Sequence, residues 1–139
     1  MIIGYTAGTF DMFHIGHLNL LQNARRQCDQ LIVGVNTDEL VLKYKSKTTV
    51  VPLEERIQIV GAIHCVAKAV VVDSLDKTQY HQQLGFNKLF IGDDWKGNQR
   101  WELTQKEMAD IGVRVVFLPY TKVTSSTILR EKLLNLIPN

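Results

Sequence analysis

Apolar residues recur along this chain in two alternating rhythms. Continuous β-branched runs at 1–7, 31–36, 69–73, 88–92 and 113–118 read as strands. Between them the apolar positions fall at helical spacing, over 17–28, a short 37–43, 53–66, 77–84 and 101–111, with a last helix at 125–136. The first helix carries Leu18, Leu21, Ala24 and Cys28 on one side, and the last carries Ile128, Leu129, Leu133 and Leu136. Strands that alternate with helices predict a parallel sheet covered on both faces. With right-handed crossovers this is an α/β, doubly wound, five-stranded fold.

That pattern also predicts where chemistry collects. In an open parallel sheet, ligands bind outside the carboxyl ends of the strands, near the switch in strand order. The segments after strands one, two, four and five are 8–17, 37–38, 92–97 and 119–127, all rich in small, polar or charged residues. The segment after strand three, Ser74-Leu75-Asp76, carries less.

Composition narrows the class. The 139 residues suit one domain, 1–139, with no room for a second. A hydrophobic share of 45% and a charged share of 22% are those of a soluble globular protein. A net charge of +2 argues against nucleic acid or an anionic membrane as partner. Cys28 and Cys65 lack metal-type spacing and sit in apolar surroundings, so free thiols and a reducing cytoplasm are expected. The N-terminus reads as a strand and not as a signal peptide. No apolar run approaches the roughly 20 residues of a transmembrane helix.

The densest chemistry lies in Gly8-Thr9-Phe10-Asp11-Met12-Phe13-His14-Ile15-Gly16-His17, where the first strand turns into the first helix. Unpaired amides and the helix dipole favour an anion there. Gly8 and Gly16 let backbone and ligand approach closely. Two imidazoles three residues apart share one face and can neutralise charge that develops in phosphoryl chemistry. Zinc is the poorer reading, because no third or fourth ligand stands nearby. His64 and His81 lack any such setting and read as ordinary histidines.

Gly8-Thr9-Phe10-Asp11 followed by His14-x-Gly16-His17 resembles the signature of the HxGH nucleotidyltransferases, and more narrowly of the small cytidylyltransferases typified by the glycerol-3-phosphate enzymes. The resemblance resumes in order at 36–39, Glu55-Arg56, Gly92-Asp93-Asp94-Trp95 and 124–127, and so covers nearly the whole chain. It implies a Rossmann-like fold and transfer of CMP from CTP to a small phospho-alcohol, glycerol 3-phosphate first, with Mg²⁺ as cofactor and a homodimer as assembly. His14 and His17 would then be catalytic, joined by one of Lys43, Lys45 and Lys47, here taken as Lys45. Thr9, Phe10, Asp11, Gly16, Asp93, Trp95, Tyr120, Ser125, Ser126 and Thr127 would bind the nucleotide. Arg56 would grip the acceptor phosphate, with Asp38 beside it.

Each residue also has a plainer explanation. Asp11 can hold Mg²⁺ or brace its loop through backbone amides. Asp38 suits a helix N-cap, and the hydroxyls of 124–127 suit another. Arg56 could be an exposed arginine in weak ion pairs. The chain departs from the family pattern at Tyr120, where an arginine is usual, and in the register of the lysines after strand two. The same chemistry with phosphocholine, phosphoethanolamine or a sugar phosphate as acceptor, or with ATP as donor, stays open at this point. So does a nucleotide-binding module without turnover.

Overall fold

The computed structural model describes residues 1–92, 99–119 and 125–136, with Arg100 described in its backbone alone. Among the described residues, eleven elements run in the order β1 (Ile3–Gly8), α1 (Ile15–Arg25), β2 (Gln30–Asn36), α2 (Asp38–Lys45), α3 (Leu53–Gly61), β3 (Lys68–Val72), α4 (Lys77–Leu84), β4 (Lys88–Gly92), α5 (Gln99–Asp110), β5 (Arg114–Leu118) and α6 (Ser126–Leu136). The strands form one parallel sheet in the order β3-β2-β1-β4-β5. This is the doubly wound α/β fold expected from the hydrophobic rhythm. The order reverses between β1 and β4, and the carboxyl ends of those strands mark the ligand crevice.

Two cores lie on opposite faces of the sheet. Leu21 and Ala24 of α1, Val60 of α3 and Val33 of β2 pack together on one face, with Phe10 and Phe13 of the β1–α1 loop. Leu40 of α2, Tyr80 of α4 and Met108 of α5 pack with Tyr5 and Ile91 on the other. Close layering needs a glycine at position 4, where a Cβ would stand 2.5 Å from the Phe90 ring and 2.8 Å from Cys28 Sγ. Both cysteines are free. Among the described residues, no helix is long and apolar enough to cross a membrane.

One boundary departs from expectation. The helical pattern of 53–66 continues past the end of α3 at Gly61. Beyond it, Ile63 and Val66 donate to carbonyls three residues back, in turn geometry. Ile63, Cys65 and Val66 still pack on the core, so an apolar turn reproduces the spacing of a helix.

Candidate active site

The site begins with a strained loop. Phe10 and Met12 between β1 and α1 hold positive φ, 54° and 50°, a conformation that costs non-glycine residues of the order of 1 kcal/mol. Phe10 is held there by burial in the core. This bend delivers His14 to the N-cap of α1.

The two histidines cap each other's backbone. His14 Nδ1 accepts the amide of Gly16 at 3.0 Å, and His17 Nδ1 accepts the amide of His14 at 3.2 Å. The rings stack with centroids 3.8 Å apart, and the edges of Phe10 and Phe13 hold His17. With each Nδ1 accepting, the hydrogen-bond network assigns the proton of a neutral ring to Nε2. Burial pushes His17 down to about 3, helped by the nearby His14 and Lys45 and opposed by Asp11. Burial also lowers His14. Both rings are therefore neutral near pH 7, and each can offer one Nε2–H.

A cleft of about 430 Å³ opens over this point, across the carboxyl ends of β1 and β4. Thr9, Phe10, Asp11, His14, Gly16, His17, Lys45, Ser125, Ser126 and Thr127 all line it. Lys45 Nζ lies 3.5 Å from Thr9 Oγ1. Of the other two lysines, Lys47 lines the cleft and Lys43 does not. Ser125 caps α6 by accepting the amide of Ile128 at 3.1 Å. Ser126 Oγ donates to the Asp11 carbonyl at 2.7 Å and stands 3.5 Å from His14 Nε2. The N-termini of α1 and α6 thus meet at one place, which is where an anion gains most from unpaired amides. Asp93, Trp95 and Tyr120 lie outside the described residues.

Three expectations need correction. Arg56 is neither a surface arginine nor part of the cleft: it is 1% exposed. Its guanidinium donates to the carbonyls of Val51, Thr9 and Asn36 and to Asp38 Oδ1, at 2.6–2.8 Å. It ties the loop after β1, the end of β2 and the segment before α3 into one knot. Asp38 belongs to the same knot, accepting also from Thr49 Oγ1 and the Leu53 amide. Its burial opposes ionisation, but these donors outweigh it and lower its pKa. The N-cap of α2 is Thr37, whose hydroxyl accepts the Leu40 amide.

Asp11 is the third. The Val50 and Val51 amides donate to its two oxygens at 2.8 and 2.9 Å, and Arg130 Nη2 donates at 2.5 Å. Burial disfavours its charge, yet these donors prevail and hold the carboxyl below its usual range. A carboxylate so engaged braces the loop and does not suit a cation. Among the described residues, no cluster of three or more acidic, histidine or cysteine side chains could hold a metal.

Two cleft cations, Arg130 of α6 and Lys77 of α4, were missed by sequence reasoning. Arg130 lies four residues after Ser126, so the two share a helix face, and that spacing could have flagged it. Lys77 directly follows Ser74-Leu75-Asp76, the segment after strand three that carries less chemistry in the sequence.

A parallel sheet with two helix N-termini, paired neutral imidazoles and several cations over its switch point is the architecture of a nucleotide-handling α/β protein. The chain belongs to the cytidylyltransferase-like family, whose model matches residues 5–132. It is 35% identical over 132 residues to glycerol-3-phosphate cytidylyltransferase of Bacillus spizizenii, covering 94% of this chain and 96% of that protein. With the glycerol-3-phosphate cytidylyltransferase of Bacillus subtilis strain 168 it shares 33% over the same coverage. Among solved structures, the lipopolysaccharide core biosynthesis protein from Thermoplasma volcanium superposes with a TM-score of 0.73 at 22% identity, covering 89% of this chain and 99% of that one, a likeness of fold.

Proposed function

We propose that this chain transfers CMP from CTP to glycerol 3-phosphate. An oxygen of the acceptor phosphate attacks the α-phosphorus, the α–β bridging bond breaks, and pyrophosphate leaves with that electron pair. No protein nucleophile is required, because phosphoryl transfer is accelerated mainly by positioning and by stabilisation of charge. The observation that carries the reading is the mutual capping of His14 and His17. It fixes two neutral Nε2–H donors beside the converging N-termini of α1 and α6. The relatives that share about a third of its residues support CTP and glycerol 3-phosphate as the pair.

In this reading the α1 and α6 termini seat the β- and γ-phosphates through backbone amides, Ser126, Thr127 and Arg130. His14 and His17 donate to oxygens of the reacting phosphorus and the leaving group, and Lys45 adds charge beside Thr9. Mg²⁺ remains the expected cofactor. With Asp11 held by two amides and Arg130, the described residues offer it no cluster of three or more ligand side chains. The working assembly is a homodimer and the working location the cytoplasm, the first of which sedimentation velocity tests.

The test is pyrophosphate release with CTP, ATP, GTP and UTP, each against glycerol 3-phosphate, phosphocholine, phosphoethanolamine and a sugar phosphate. Highest kcat/KM for CTP with glycerol 3-phosphate is the expected outcome. A preference for ATP or for another acceptor would replace that half of the assignment, and no turnover with any pair would sink it.

A further inference from the structure

We propose that Tyr44 is a positioning residue for the reaction and acts through Lys45. The inference deepens the reading above and rests on it. Two neighbouring faces run along α2. Leu40 and Tyr44, four residues apart, share the face that packs on the core of Tyr5, Tyr80 and Met108. Val41 and Lys45 share the next face, and both line the cleft. Lys45 is the last residue of α2, because Ser46 turns the backbone into the left-handed region at φ 54°. The helix dipole favours a cation at that end. It acts along the axis, however, and does not choose among the rotamers of a long, flexible stem.

Tyr44 makes that choice. Its hydroxyl accepts from Asn36 Nδ2 at 3.1 Å, and Asn36 is the buried last residue of β2. The ring is thus held at its body by the core and at its tip by the sheet. Lys45 Nζ stands 5.4 Å from the ring centroid, within the range where an aromatic face attracts an ammonium. From that seat the ammonium reaches Thr9 Oγ1 at 3.5 Å. Its charge is also felt at His17, whose pKa it helps to depress. Tyr44 does not itself line the cleft, so its influence on turnover passes through the lysine. Asn36, Tyr44 and Lys45 form one chain from the end of β2 to the phosphate side of the cleft.

A double-mutant cycle in the full chain tests this, with Tyr44→Leu, Lys45→Met and the two combined. It is read as kcat/KM for CTP at saturating glycerol 3-phosphate, and as CTP affinity by calorimetry. Freeing the ammonium predicts a loss of about 3- to 30-fold in both for Tyr44→Leu. Tyr44→Phe keeps the aromatic face and should recover most of that loss. In the Lys45→Met background Tyr44→Leu should cost nothing further, because residues that act as one unit are not additive. Tyr44→Met, whose flexible side chain refills the space without an aromatic face, repeats the cycle. A tyrosine that merely supports the fold would lower activity equally in both backgrounds. That additive result overturns the proposal, and so does a Tyr44→Leu variant with wild-type kinetics and affinity. Absence of CDP-glycerol from the wild type would overturn the underlying reaction, while the calorimetric cycle still decides on Tyr44. A wild type that does not bind CTP would overturn both.

Discussion

His17 performs two tasks that a pair of substitutions can separate. Its Nδ1 caps α1 by accepting the His14 amide, and in the proposed reaction its Nε2–H is the donor offered to the reacting phosphate. His17→Ala removes both. Loss of a cap costs about 1 kcal/mol, which in a domain of this size lowers Tm by about 3–6 °C. Loss of one preorganised donor to transition-state charge costs about 3–4 kcal/mol, or about 10²–10³ in kcat. In His17→Asn, the side-chain oxygen hangs from Cγ where the histidine carries Nδ1, so the cap can be kept. Nothing in asparagine reaches the position of Nε2. Asparagine should therefore recover much of the lost Tm while kcat stays as low as in alanine, with CTP affinity near wild type in both. Melting curves, steady-state kinetics and CTP calorimetry on the three proteins supply the comparison. An asparagine variant with wild-type kcat would show that Nε2 does no chemistry. A kcat that tracks Tm across the pair would reduce His17 to a cap.

Other outcomes follow from the same geometry. Stability should fall as pH drops from about 6.5 toward about 3, because unfolded His17 takes up a proton near 6.5 that the folded ring refuses down to about 3. The unfolded state binds more protons across that window, so the slope is positive with pH and at most about 1.4 kcal/mol per unit for this group; denaturant titrations from pH 7 to 4 should show it diminished in His17→Ala. Arg56→Met should destabilise by about 3–5 kcal/mol, since it removes the one donor group that serves three carbonyls and an oxygen of Asp38 together. A surface arginine would give a change near zero in urea unfolding. Asp11→Asn should leave the Mg²⁺ concentration for half-maximal rate unchanged while loosening α6, read as faster proteolysis near Arg130; a large shift in the Mg²⁺ requirement would restore the metal-ligand role. Gly4→Ala should cost about 1–3 kcal/mol by overpacking against Phe90 and Cys28, measured as a lower urea midpoint at constant slope.

The rhythm of the chain determined the order of elements, the parallel sheet and the edge where ligands collect, because strand burial and helix amphipathicity are written in local spacing. Motif spacing likewise placed His14, His17 and the 125–127 hydroxyls at helix starts, which depend only on near neighbours. Contacts between distant segments were a different matter. Arg56 reads in the sequence as an acceptor-phosphate ligand or an exposed arginine, and it is neither, because Thr9, Asn36, Val51 and Asp38 close around it, partners up to 47 positions away. Asp11 read equally well as metal ligand or brace until its oxygens met Val50, Val51 and Arg130, up to 119 positions off. Lys77 gained significance only when the sheet brought the start of α4 to the cleft over β1 and β4. The function of a charged side chain depends on which charges and dipoles share its surroundings, and at these positions folding alone chose them.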